Sequence, residues 1–302
     1  MSKVGFIGLG QMGKWMALNI MKAGFELTVF DVSPQAVQFL VDQGAKSSRT
    51  PTDLAAQADW VFLSLPNTEI VEKAVFGQDG LACSAMRGTI IIDCGTTNYM
   101  ATLDFARRLT ERGIRFADMP VSGMEARAQD GTLTIMCGGD VAILETVRPA
   151  LNAIGNKIIH MGEIGSGQLT KLINQLLFNI NVAALAEVLP MAVKLGLDPD
   201  KVSQVVTTGT GRSFAAEFFI PQILDNHFDQ GYALKRAYKD MISAAEICAQ
   251  RQIPLPLVHA ATTTYQMALL DGLGDEDKGA MIKVFERILG VEFRKGQKTN
   301  DE

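Results

Sequence analysis

The run Gly8-Leu9-Gly10-Gln11-Met12-Gly13 directly follows the apolar stretch Val4–Ile7 and precedes a segment in which Met16, Ile20 and Ala23 recur at helical spacing. Glycines in this pattern at a strand-to-helix turn suit a dinucleotide. Gly8 permits the tight turn, Gly10 lets the backbone approach a pyrophosphate, and Gly13 allows close packing of helix on strand, with the phosphates resting on the helix N-terminus. The motif alone is weakly specific, so its context decides. Asp31 ends the next apolar run about 20 residues on, where a carboxylate accepts ribose hydroxyls. The alternatives are an ordinary βα turn for the glycines and an N-cap for Asp31, a role that Ser33 could share for a helix starting at Pro34. A carboxylate at this point repels a 2′-phosphate, and Val32 through Gln35 supply no Arg or Lys to receive one. The expected cofactor is therefore NAD(H) in preference to NADP(H), with Gly8 through Gly13 and Asp31 as its first ligands.

Two further segments end apolar runs and should face the same ligand, because open α/β sheets bind at the carboxyl ends of their strands. These are Leu65-Pro66-Asn67 and Cys94-Gly95-Thr96-Thr97; plain turn chemistry is the alternative for each. Reducing a carbonyl requires a proton at the oxygen as hydride reaches the carbon, and a lysine can supply both charge and proton. Lys171 lies one turn into an apolar helical stretch that follows Gly165-Ser166-Gly167, read as a flexible start. At i, i+3 and i+4, Lys171, Asn174 and Gln175 share one face, with Asn179 a turn beyond. Asn174 and Gln175 are accordingly candidate substrate contacts. The alternatives are a snorkelling surface lysine and an interhelical amide. Ser122 and Gly123 follow another strand end and could form either an anion-binding nest or a simple turn. Lys239-Asp240 reads as a cleft-facing pair or a solvated one, and Arg127 as a second anion contact or a surface arginine. His160, His227 and His259 are isolated and are read as structural.

Positioning these residues requires an α/β domain followed by a helical one. Strand-like runs at Val4–Ile7, Leu27–Phe30, Trp60–Leu65, Thr89–Asp93 and Ile114–Ala117 alternate with amphipathic stretches, which implies βαβ units and a mostly parallel Rossmann-type sheet. Leu133–Cys137 and Lys157–His160 read as two more strands around a helix at Val141–Ile154. From Gly165 the pattern turns helical throughout. The expected domains are 1–163, binding the dinucleotide, and 164–302, all-helical and serving substrate binding and oligomerisation. Helices are predicted over Gln168–Leu195, with Pro190 kinking or ending it, and at Pro199–Thr207, Ala216–Leu224, Leu234–Gln250, Pro256–Asp271 and Gly279–Leu289. The polar tail 294–302 is expected to fray.

Composition narrows the function class. The chain has 302 residues, 47% of them hydrophobic and 20% charged, with a formal net charge of −5. That size favours two domains with real cores, and that charge gives no basic footprint for nucleic acid or an anionic membrane. Small-molecule chemistry is favoured over polymer binding. Cys83, Cys94, Cys137 and Cys248 show no paired spacing, so reduced thiols in a cytoplasmic protein are expected, with no metal site. No segment is expected to span a membrane, and no leader is read at the N-terminus.

The chain resembles the β-hydroxyacid dehydrogenase family, which includes 3-hydroxyisobutyrate dehydrogenase and tartronate semialdehyde (2-hydroxy-3-oxopropionate) reductase. The resemblance rests on Phe6 through Gly13 with Met16 and Asn19; on Asp118-Met119-Pro120-Val121-Ser122-Gly123 running to Gly131-Thr132-Leu133; on Gly165-Ser166-Gly167 with Lys171 and Asn174; and on Lys239-Asp240. It implies a first domain that binds NAD(P), a helical second domain, an active site in the cleft between them, and dimers or tetramers. It also implies that Ser122 and Gly123 bind the substrate carboxylate, that Lys171 is catalytic, and that Thr96 and Lys239 lie beside the nicotinamide. His160 through Gly165, Lys171 through Gln175 and Asp271 through Gly274 look most like tartronate semialdehyde reductases. Two departures bear on substrate: Met124 stands where the family has a second glycine, and Gln175 where many members carry a second Asn. The expected activity is reversible reduction of a short semialdehyde acid, tartronate semialdehyde first. Succinic semialdehyde, methylmalonate semialdehyde and sulfolactaldehyde are rivals within that chemistry. A 6-phosphogluconate-type decarboxylating dehydrogenase and a noncatalytic NAD-binding regulator are the rivals outside it.

Overall fold

The computed structural model describes residues 2–296. In chain order the first half comprises β1 (Lys3–Ile7), α1 (Gly13–Lys22), β2 (Glu26–Phe30), α2 (Pro34–Val41), β3 (Lys46–Ser47), α3 (Pro51–Ala55), β4 (Trp60–Leu63), α4 (Thr68–Phe76), β5 (Ile90–Asp93), α5 (Tyr99–Thr110), β6 (Arg115–Asp118), β7 (Val121–Ser122), α6 (Met124–Gln129), β8 (Leu133–Gly138), α7 (Val141–Ile154) and β9 (Gly155–Gly162). The helical half follows: α8 (Ser166–Lys194), α9 (Pro199–Thr208), α10 (Phe214–Leu224), α11 (Leu234–Arg251), α12 (Pro256–Leu270) and α13 (Ile282–Leu289).

The strands form one sheet in the order β3-β2-β1-β4-β5-β6-β8-β7, with β9 also paired to β8. β1 through β6 run parallel, and β8 reverses direction against β6 and β7. Alternate residues of the central strands feed two separate cores, which is why these strands read as unbroken apolar runs. Phe6, Phe62, Ile90 and Ile92 pack with Met16 of α1 and Val147 of α7 on one face. Ile7, Val61, Leu63 and Ile91 pack with Leu54, Val71 and Phe105 from α3, α4 and α5 on the other. β1 lies between β2 and β4, where the strand order reverses, and the glycine turn leaves its carboxyl end. This is the position at which such sheets bind nucleotides. A small hollow lined by Asp59, Trp60, Arg87 and Arg115 lies at the opposite, amino ends of β4 to β6.

Residues 1–171 and 172–302 form two compact units that divide inside α8, eight residues beyond the boundary expected from the change of pattern. The first turn of α8 is bonded to β6, so it is counted with the sheet. In the helical unit one core gathers Val182, Ala186 and Leu189 with Phe219, Ile223, Tyr265 and Met281. A second core joins Leu176 and Ala183 to Met241 and Val258.

α8 runs through Pro190 to Lys194, as the predicted Gln168–Leu195 helix requires and against the alternative in which the proline ends it; Ala186, Leu189 and Ala192 are buried on either side of the proline, and that packing offsets the one lost hydrogen bond. Other sequence expectations need correcting. By length and apolar composition α8 could cross a membrane, although no such segment was expected. Here it is a half-buried core helix. The predicted helix from Gly279 begins as a 3-10 turn, Lys278–Met281, before α13. The short strands β3 and β7 were missed, being two residues each. Of the tail expected to fray, Arg294 pairs with Glu286 at 2.6 Å and the Gly296 amide donates to Asp200. Residues 297–302 lie outside the described residues.

Candidate active site

The three glycines of the first turn have different reasons to be glycine. Gly8 has a φ of 93°, and a Cβ on Gly13 would lie 1.9 Å from the Gly8 carbonyl oxygen. Both are demanded by the protein's own backbone. A Cβ on Gly10 would meet nothing within 4 Å. That open side lies at the start of α1, whose N-terminus no side chain caps and whose first turn carries no acidic residue. Helix N-termini need acceptors for their first amides, so this cradle fits a pyrophosphate. Gln11 is exposed and Met12 half-buried beside it.

Asp31 closes the cradle from the end of β2. Its Oδ2 accepts from the Leu9 amide at 2.6 Å and its Oδ1 from the Ser33 amide at 2.7 Å. Ser33, not Asp31, is the side-chain cap of α2, accepting from Ala36. Each carboxylate oxygen has a second acceptor direction, which suits the ribose hydroxyls of a dinucleotide. The Leu9 amide is thus committed to Asp31 and its side chain is buried, so Leu9 shapes the loop from within.

Leu65, Pro66 and Asn67 follow β4, beside β1 in the sheet. The Asn67 side-chain oxygen accepts from the Ile70 amide at 2.9 Å and caps α4, the turn chemistry named as its alternative. The Cys94–Thr97 turn after β5 is more elaborately held. Asp93 accepts from the Gly95 amide at 2.9 Å and from the Thr97 hydroxyl at 2.5 Å. Gln168 of α8 donates to the Gly95 carbonyl at 3.0 Å and accepts from the Thr97 amide at 3.1 Å. Thr96, half-buried, sits at the centre of this turn.

Lys171 stands three residues beyond Gln168 and is 9% exposed. The start of its helix is not the flexible element expected from Gly165-Ser166-Gly167. Asp118, at the end of β6, accepts from the Gly165 amide at 2.7 Å and the Gln168 amide at 2.8 Å. A Cβ on Gly167 would lie 2.4 Å from the Met136 carbonyl and 2.8 Å from the Asp118 carboxylate. The glycine is there for close approach. Burial pushes the Asp118 carboxyl up to about 6, opposed by its backbone donors and reinforced by the like charge of Asp93.

Ser122 is half-buried at the end of β7 and leads into two consecutive left-handed residues, Gly123 at φ 146° and Met124 at φ 61°. Methionine in this conformation costs roughly 1 kcal/mol that glycine avoids. The Met124 departure is therefore a backbone exception as well as a bulkier side chain. The next residue, Glu125, accepts from Trp15 Nε1 at 2.9 Å and pairs with Lys14 at 3.1 Å. Its carboxyl is held below the usual range, chiefly by the Trp15 hydrogen bond. Asn19 donates to the carbonyls of Ala128 and Gln129. The segment that follows the Ser122–Gly123 turn is thereby tied to α1. Arg127, the candidate second anion contact, bonds its own Thr132 carbonyl.

In the helical unit Asn174 is exposed and lies 3.5 Å from the Gln175 side chain, which reaches Asp240 of α11 at 3.4 Å. Lys239 is half-buried on α11. Asn179, read as part of the polar stripe, finds its partner inside this unit: Lys278 donates to it at 2.9 Å and stacks 3.8 Å over Phe178. Lys278 is only 2% exposed. Sequence reading missed it, along with Gln168 and Glu125, because each acts through partners remote in the chain. Asp118 lay inside a quoted motif, but nothing local signalled that it clamps a helix 47 residues on.

Residues 3–162 match the NAD binding domain of 6-phosphogluconate dehydrogenase, and residues 165–285 match the NAD-binding domain of NADP-dependent 3-hydroxyisobutyrate dehydrogenase. The chain is 39% identical to 2-(hydroxymethyl)glutarate dehydrogenase of Eubacterium barkeri, covering 98% of both chains. It is 33% identical to 2-hydroxy-3-oxopropionate reductase of Escherichia coli, covering 94% of this chain and 97% of that one. Among solved structures, 3-hydroxyisobutyrate dehydrogenase from Salmonella typhimurium aligns with a TM-score of 0.88 and 29% identity, covering 94% of this chain and all of that one.

Proposed function

This chain belongs to the β-hydroxyacid dehydrogenase family, NAD(P)-binding oxidoreductases acting on CH-OH groups, and from that premise we propose that it reversibly reduces a short semialdehyde acid to its hydroxy acid with NAD(H). The three compounds named by the relatives share one skeleton, a carboxylate with an aldehyde or primary alcohol at C3, and differ only in the C2 substituent. The observation that carries the reading is Lys171, a buried lysine on a helix whose first turn is clamped in place.

Hydride at C3 would be supplied or taken up by the nicotinamide of a bound dinucleotide. Lys171 holds the C3 oxygen through its ammonium and passes the proton that the reduced oxygen requires, stabilising charge as it develops. Ser122 and Gly123 take the C1 carboxylate on a turn whose amides converge. Asn174 and Gln175 orient the C2 substituent. Gly10, the start of α1 and Asp31 take the pyrophosphate and ribose. Thr96 and Lys239 serve the nicotinamide end.

Asp31 supports NAD(H) over NADP(H), since its carboxylate repels a 2′-phosphate and the residues that follow it, Val32 through Gln35, supply no Arg or Lys to receive one. Tartronate semialdehyde remains a first-choice substrate. The 39% identity to an enzyme named for 2-(hydroxymethyl)glutarate favours a second reading, in which C2 carries a propionate arm. A panel of semialdehydes and hydroxy acids with hydroxyl, methyl and propionate groups at C2, followed at the NADH absorbance with both cofactors, decides between them. No turnover on any of them removes the proposal.

A homodimer or homotetramer in the cytoplasm completes the reading. Ile173, Leu177, Val188 and Met191 are each about half exposed or more and fall on one side of α8 by their spacing, an apolar stripe suited to a second copy. Light scattering coupled to gel filtration tests it; a monomer at micromolar concentration contradicts it.

A further inference from the structure

Asp118 and Gln168 form, with Asp93, a buried bridge between the start of α8 and the Cys94–Thr97 turn. Asp118 is fully buried, and its two oxygens accept the amides of Gly165 and Gln168. An N-cap side chain normally makes the second of these bonds from within the helix's own chain. Gly165 has no side chain, so a carboxylate from β6 does it instead. The negative charge also lies where the positive end of the helix dipole favours it. Gly138 makes room, because a Cβ there would stand 2.5 Å from the carboxylate. From the same turn Gln168, 3% exposed, reaches both the carbonyl of Gly95 and the amide of Thr97. Asp93 holds Gly95 and Thr97 from the strand side. Thr96 therefore lies between two residues anchored to the first turn of the lysine's helix.

We propose that Asp118 and Gln168 are positioning residues, which set Lys171 and Thr96 as one rigid body. This rests on the catalytic reading of Lys171 given above. Neither residue need touch a reacting atom. Asp118 fixes where α8 begins, and Lys171 lies within two turns of that point. Gln168 transfers the same constraint to the turn that carries Thr96. Rotation or fraying of the first turn would move both groups, and small displacements from reactive geometry are costly in rate.

The test compares Asp118→Asn and Gln168→Leu with the unaltered protein. Asn keeps one acceptor but turns an NH2 toward the other amide; Leu keeps the volume and loses both bonds. Hydrogen exchange on the cofactor-free protein should quicken in peptides covering 163–170 and, for both variants, also in 94–98. The Asp118 carboxylate bonds the amides of Gly165 and Gln168 and not that second peptide, so its response reports transmission. In kinetics kcat should fall roughly 10- to 100-fold, with NADH affinity by fluorescence within about threefold, a change near 0.6 kcal/mol. Exchange confined to 163–170 in Asp118→Asn, or a kcat within threefold of the parent in Gln168→Leu, overturns the proposal. If Asp118→Asn does not fold, Gln168→Leu alone decides by the same two readouts. A parent protein inactive on the whole panel instead defeats the catalytic reading, while the exchange result still tests the bridge.

Discussion

Helices α1 and α8 both begin at glycine-rich turns, Gly8 to Gly13 and Gly165 to Gly167, yet their N-termini are used in opposite ways. At α1 no side chain supplies an acceptor, the first turn has no acid, and Gly10 leaves open space. At α8 a buried carboxylate from β6 takes the amides, and Gly167 is packed against it. The first N-terminus is left open by the protein's own side chains. The second is closed by one. A glycine-rich turn before a helix therefore does not by itself mark an anion site, since what fills the space decides.

The largest expected effect comes from what α8 carries. Lys171→Ala should lower kcat by about 10²- to 10⁴-fold, the range for losing a positioned proton donor, while NADH binding by fluorescence stays near that of the parent. An active variant removes Lys171 from the chemistry. The open helix end is tested by Gly10→Ala against Gly13→Ala. Gly13→Ala forces a 1.9 Å contact with the Gly8 carbonyl and should cost at least about 3 kcal/mol by denaturation, in the upper range for single substitutions. Gly10→Ala meets no protein atom and should leave stability within about 1 kcal/mol, yet weaken NADH by roughly tenfold or more through its encroachment on the pyrophosphate. Equal stability losses in the two variants would break the contrast.

A pH comparison sharpens the closed end. Asp118 is raised by burial from 3.8 to about 6. Its titratable neighbours are Asp93 on β5, which adds a like charge, and Cys137 on β8, a thiol that burial pushes up to about 12 and so keeps neutral. Because the folded value exceeds the unfolded one, the folded state binds the extra proton between these limits, and this group's contribution to stability falls as pH rises from about 4 to about 6. Activity should run the other way, because protonation turns one acceptor oxygen of the clamp into a donor. The expected outcome is an acidic limb in kcat near pH 6 that Asp118→Asn abolishes, with no matching loss of stability in parallel denaturant titrations. The smallest effect is Met124→Gly. Relief of the left-handed methionine should leave stability equal or higher by up to about 1 kcal/mol, and turnover on C2-substituted acids should broaden; a clear loss of stability would show that the side chain is needed for packing.

The order of elements was legible from residue spacing alone. Val141–Ile154 and Leu234 onward form helices where apolar periodicity placed them, and β1, β2, β4, β5 and β6 match their predicted runs to within two residues at either end. The geometry of the glycine turn was legible for the same reason, since Gly8 and Gly13 are required by local backbone and Asp31 stands at a fixed offset from them. Spacing left open whether Pro190 kinks or ends its helix, and packing on both sides of the proline decided that the helix continues. Asn179 misled because a polar residue on an apolar helix announces a partner without saying which. Its partner, Lys278, lies 99 residues away. Asp118 and Gln168 were invisible for a related reason: a carboxylate at a strand end and a glutamine on a helix acquire meaning only when the sheet sets β5 and β6 side by side and brings the start of α8 onto their ends. Short-range spacing decides which backbone conformations are cheap, and so it specified the elements and the glycine turn after β1. Hydrogen bonds between buried side chains and distant amides depend on which strands become neighbours, and that was settled only by the closing of the sheet and the cores on its two faces.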